Sequence, residues 1–156
     1  MRRGPWSQTM PSMSATSTYR ADAVLAAEPC AVMALLTSPD AIGRWTPVPF
    51  EVEGVDERLH TGDLARVTGT LAGRRVAFEV EVAEAGHDRL ALTARGPVNL
   101  DVEYRIEPTP AGSAVEARVD VRRGRGVVGG LLAGATGALL SGGALRVALD
   151  RMAAAA

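Results

Sequence analysis

At 156 residues the chain has room for one domain of ordinary size with a core of its own, and no second domain is expected. Its formal net charge is −1, and its 17 basic residues are all arginines interleaved with the acids instead of gathered on one face, which argues against nucleic acid as a partner. Cys30 stands alone, so there is neither an intramolecular disulfide framework nor a cysteine metal cage, and a reducing, cytoplasmic location is expected.

Residues 1–17 begin with two arginines but carry no apolar run. They read as a disordered leader and not a secretory signal, with the true start at Met1, Met10 or Met13. A single domain is expected over 18–153. Alternation from Tyr19 to Leu25 predicts a first strand. Glu28-Pro29 opens a short helix carrying Val32, Met33, Leu35 and Leu36 at helical spacing, and Ser38-Pro39-Asp40 opens a second that ends at Trp45.

Past Thr46-Pro47-Val48-Pro49 the period changes to two. Six strands are predicted: Phe50 to Val55, Asp63 to Leu71, Arg74 to Ala83, Arg89 to Arg95, Val98 to Glu107 and Ala114 to Arg122. The links between them are short and rich in Gly and Pro, as in hairpins, so an antiparallel meander follows. Val76, Phe78, Val80 and Val82 share one face with Leu90, Leu92, Val98, Leu100, Val102, Tyr104, Ile106, Val115, Ala117, Val119 and Val121. Glu79, Glu81, Arg95, Asp101, Glu103, Arg105, Glu116, Arg118 and Asp120 take the other.

The tail RRGRGVVGGLLAGATGALLSGGAL admits three readings. Gly124 to Gly129 spells GxGxxG, but no further strand follows to complete a dinucleotide fold. Gly126 to Leu145 is uncharged and long enough to cross a bilayer, yet Gly and Ala dilute its hydropathy, and Arg146, Asp150 and Arg151 continue the helical pattern. The sheet also needs a cover, and this is the one long helix available, so the third reading, a helix packed on the sheet, is preferred. Gly130, Gly134, Gly137, Ser141 and Gly142 form a small-residue stripe in it, so the helix is expected to be intrinsically weak and able to flex as a lid.

The chain thus reads as a strand, two short helices, six antiparallel strands and a long C-terminal helix. This order, with Ser38-Pro39-Asp40 leading to Trp45, Gly62-Asp63 entering a strand and Pro108 to Gly112 before the last one, resembles the helix-grip fold of the START/Bet v 1 superfamily. It is most similar to small bacterial SRPBCC and polyketide cyclase/dehydrase-like proteins. The resemblance implies an α+β fold in which a curved antiparallel sheet of about seven strands holds the helix and leaves an apolar cavity. Trp45, Phe78, Val80, Leu92, Leu100, Val102, Leu131, Ala135 and Leu139 would line it.

The expected partner is a hydrophobic small molecule, polyketide- or lipid-like, with no cofactor or metal and no membrane span; a homodimer is compatible. Tyr104 and Tyr19 are the inward polar groups on the strands, each open to a plain core role or to one in chemistry. Arg66 has outward parity, but a bulge near Gly69 would turn it inward, where it would hold a carboxylate or enolate. These three are the catalytic candidates if the protein is a cyclase, aromatase or dehydratase. The alternatives are a carrier or sensor of a hydrophobic ligand, and an interaction domain acting through its surface. His60 and His87 read as surface histidines and Cys30 as a small buried residue.

Overall fold

Strand β1 (Ser17–Leu25) turns its alternation into two faces: Thr18, Arg20, Asp22 and Val24 lie exposed, while Tyr19, Ala21, Ala23 and Leu25 face the interior. The computed structural model describes residues 17–45, 50–55, 57–71, 73–123, 136–137, 139–141 and 143–155. Helix α1 (Pro29–Thr37) starts on proline, whose fixed φ suits the first helical position, and buries Val32, Met33, Leu35, Leu36 and Thr37. The Thr37 hydroxyl donates to Met33 O at 2.7 Å, so its burial leaves no polar group unpaired. Helix α2 (Pro39–Trp45) follows after Ser38, whose carbonyl accepts the N–H groups of Ala41 and Ile42.

Six strands come next: β2 (Phe50–Glu53), β3 (Leu64–Leu71), β4 (Arg74–Ala85), β5 (Arg89–Arg95), β6 (Val98–Thr109) and β7 (Gly112–Arg123). All neighbours are antiparallel in the order β1-β7-β6-β5-β4-β3-β2, so the meander runs from β2 to β7 and β1 returns to pair with β7. The inward valines of β4 are buried, as are Leu90, Tyr104, Ile106, Val115, Ala117, Val119 and Val121. Between Val82 and Glu84 the register shifts by one residue. This bulge carries β4 two residues past its predicted end and sets Ala85 opposite Leu90.

The corner joining β1 to α1 is pinned by β7. Ser113, fully buried, donates from Oγ to Ala27 O at 2.6 Å. Beside it, Gly112 lies at φ +142, and a Cβ there would stand 2.1 Å from Leu25 O. Only glycine brings the two backbones this close.

The tail differs from the single long helix that its periodicity predicts. Residues 136–137 and 139–141 are helical, and Gly143 then takes φ +99, in the left-handed region that favours glycine. Its N–H donates to Leu140 O and its carbonyl accepts from Val147, so it ends one helical piece and starts the next, α3 (Ala144–Ala155). Leu145, Ala148, Leu149 and Met152 form the buried stripe of α3, which packs over β1 and α2. The Arg146 guanidinium donates to Asp22 O and fastens the helix to the edge strand. Leu131, Ala135 and the rest of the Gly-rich run 124–135 lie outside the described residues. Among the described residues no helix is long and apolar enough to cross a membrane.

Candidate functional site

The inner face of the sheet is built in cross-strand rows. Ala65, Val80, Ala94 and Leu100 lie opposite one another across β3 to β6. Leu92, Val102 and Val119 make the next row across β5 to β7, and Leu90 meets Tyr104 in the one after. Alanine stands at two of the four places in the first row, where larger side chains would fill the space. The consequence is a cavity of about 290 Å³ between sheet and helices, large for an interior that normally tolerates few voids bigger than a water.

Leu36 of α1, Ile42 and Trp45 of α2, Leu59, and Thr136, Leu139, Leu140, Ala144, Leu145 and Ala148 of the tail cover it. Leu139 lines the cavity while remaining 43% exposed. Trp45, Phe78, Val80, Leu92, Leu100, Val102 and Leu139 all lie in the wall. Leu90 and Val119 were placed on the inner face but not named as lining residues, and Val67, Leu36, Ile42, Leu145 and Ala148 were not named for the cavity. Carrying the alternation back through β3 finds Ala65 and Val67, whereas Leu36 and Leu145 need the tertiary packing of their helices.

The wall is almost wholly carbon. Trp45 gives its indole N–H to Leu35 O at 2.8 Å, and Thr136 makes an interaction of its own. Tyr104 is buried beside Trp45, its ring edge-on at a centroid distance of 6.0 Å. No described residue hydrogen-bonds its hydroxyl, and burial pushes the phenol well above the usual tyrosine range. It is therefore neutral at any ordinary pH and equipped to donate.

The other two catalytic candidates lie elsewhere. Gly69 pairs in register with both Phe50 and Val76, so no bulge forms there, and Arg66 keeps its outward parity opposite Glu53 and Glu79. It is exposed, in a crevice lined also by Glu53, Glu79, Glu81 and Arg95, and is not among the residues of the cavity wall. Tyr19 faces inward but belongs to the edge strand, where its hydroxyl lies against Gly137, 2.9 Å from where a Cβ would stand. It packs under the tail and not in the wall. Of the three, the structure brings only Tyr104 to the cavity.

Cys30 is exposed, not buried, because the inner stripe of α1 starts at Val32; its Sγ lies 3.9 Å from Glu28 Oε2. His60 and His87 are exposed, and among the described residues no three His, Cys, Asp or Glu side chains are grouped to hold a metal ion. The outer face carries a charge ladder in which Arg89 bridges Glu84 and Glu103, and Arg122 meets Asp101 at 3.0 Å. Burial alone would raise the Glu103 carboxyl, but hydrogen bonds from Arg89 and Arg105 outweigh it and hold the group below the usual carboxylate range.

Several solved structures share this fold at low identity. Protein CV1439 from Chromobacterium violaceum is 20% identical, with a TM-score of 0.66 over 88% of this chain and 96% of its own. Ara h 8.0201 is 12% identical, with a TM-score of 0.60 over 88% and 98%. DynU16, a putative protein in the dynemicin biosynthetic locus, is 18% identical, with a TM-score of 0.55 over 87% of this chain and 45% of its own. No curated protein matches the chain. The model of one family, described as polyketide cyclase / dehydrase and lipid transport, matches residues 15–156. A seven-stranded antiparallel sheet facing a C-terminal helix across an apolar cavity is the helix-grip architecture, and by that match the chain belongs to the polyketide cyclase / dehydrase and lipid transport family.

Proposed function

We propose that the protein binds one neutral, apolar small molecule, polycyclic or lipid-like, in this cavity and carries or senses it without changing it. The observation that carries the reading is the carbon-lined wall: Arg66 faces solvent, and Tyr104 is the one ionisable side chain among the described lining residues. A charged headgroup inside would lie unpaired, at a cost of several kcal/mol, so a neutral occupant fits. The volume is at the low end for small-molecule sites and suits a ligand of roughly two or three fused rings. The lone cysteine fits a cytoplasmic carrier.

A second reading rests on the Tyr104 hydroxyl and on the likeness to a protein of the dynemicin locus: a cavity that folds a reactive polyketide while the phenol steadies an enolising carbonyl. Both readings are tested by incubating detergent-free protein with an extract of its source cells, weighing the intact complex, and analysing what denaturation releases. A carrier returns its ligand unchanged at one per chain. Release of an altered molecule supports the cyclase reading, and no bound molecule overturns both. Ala94→Leu, which adds a larger side chain to the cavity wall, is expected to weaken capture strongly while leaving the fold intact.

A further inference from the structure

We infer that Tyr104 is a specificity-determining anchor that selects, among neutral polycyclic molecules, those presenting a carbonyl oxygen to its hydroxyl. The inference rests on the ligand-binding reading above and adds the chemical class of the ligand.

Three observations carry it. Tyr104 is only 6% exposed and lines the cavity, yet no described residue satisfies its hydroxyl. A phenol that lines an apolar cavity and has no hydrogen-bond partner among the described residues points to a partner that arrives with the ligand. Of the neighbouring polar groups, the Trp45 N–H is held by Leu35 O, and Thr136 has an interaction of its own. The ring is also fixed in place, since it meets Trp45 edge-on and sits between Leu90 and Ala117 in the sheet register.

The direction of the hydrogen bond follows from what each ligand group would bring. A ligand hydroxyl or amide carries a donor of its own, and the rest of the described wall is almost wholly carbon, so binding it would leave one hydrogen unpaired. A carbonyl carries only an acceptor. With the phenol donating to it, neither the carbonyl oxygen nor the Tyr104 hydrogen is left unpaired. A carboxylate fails for a different reason: no cation lines the described wall to balance it.

The test compares fluorene with fluorenone, two tricyclic molecules that differ in one carbonyl, by equilibrium dialysis against wild-type protein and Tyr104→Phe. Expected is a loss of about tenfold in fluorenone affinity in the variant with fluorene affinity unchanged. Infrared spectra of bound fluorenone should show the carbonyl stretch at lower frequency in wild type than in Tyr104→Phe. Fluorene binding by the variant reports that its cavity is intact, and the wild-type spectrum needs no variant at all. If both ligands bind and the substitution changes them equally or not at all, or the carbonyl band is the same in both proteins, the anchor is overturned while the binding reading stands. If neither ligand binds wild type, both fall together.

Discussion

The Trp45 indole meets the Tyr104 ring edge-on, with the planes at 79°, and gives its N–H to Leu35 O, so a single side chain ties α2 to α1 and braces the polar residue of the cavity. Trp45→Phe keeps an apolar ring but leaves a buried carbonyl without its donor, and a loss of about 1–2 kcal/mol is expected. Trp45→Ala also opens a large void, and about 3–5 kcal/mol should be lost. Urea midpoints of the two variants check the ordering.

Two buried hydroxyls should respond in opposite ways to deletion. Ser113 donates to Ala27 O at the corner between β1 and α1, so Ser113→Ala is expected to destabilise by about 1–2 kcal/mol. Tyr104 donates to no described residue, and Tyr104→Phe in ligand-free protein should be neutral or up to about 1 kcal/mol more stable. Thermal unfolding of both variants without ligand decides it; a large loss for Tyr104→Phe would mean the phenol has a structural partner.

Gly112 and Gly73 separate steric clash from backbone strain. Both have positive φ, but a Cβ on Gly73 meets nothing within 4 Å, whereas one on Gly112 would run into Leu25 O. Gly73→Ala should cost about 1–2 kcal/mol from the left-handed backbone alone. Gly112→Ala must also push apart β1 and β7, and a loss above about 4 kcal/mol, seen as failure to give a cooperative melt near wild type, is expected.

Acid should weaken the outer-face ladder in a defined direction. Glu103 is held below its ordinary value in the folded chain, so its contribution to stability is complete above the unfolded carboxylate value, about 4.3, and is lost as pH falls through the lower folded value. Glu103→Gln should therefore flatten the fall in urea midpoint between neutral pH and pH 3. An identical slope in both proteins would show that Arg89 and Arg105 do not discriminate the ionised form.

The element order and the faces of the strands were legible because a half-buried antiparallel sheet writes its burial into the chain at period two. Arg66 shows the strength of that signal: its parity pointed outward, and no bulge at Gly69 overrode it. The bulge that does exist, between Val82 and Glu84, has no glycine or proline to mark it. Tyr19 and Tyr104 looked alike because parity tells which side of a strand a residue occupies but not whether that strand lies at the edge or the centre of the sheet. The break at Gly143 was hidden because the sequence offers several neighbouring glycines of equal local freedom. Whether the inward side chains close ranks or leave a hollow is a matter of summed volumes in three dimensions, which periodicity does not contain.

The strict alternation along β5 and β6 has an evolutionary consequence. Leu92, Leu100, Val102 and Tyr104 shape the cavity, while their immediate neighbours Thr93, Asp101, Glu103 and Arg105 carry the solvent-facing hydrogen bonds and ion pairs. Substitutions at even-numbered positions of these strands can therefore recut the binding space one methyl at a time without disturbing solubility or the charge ladder, and descendants of one ancestral chain can diverge in what they hold while keeping the same exterior.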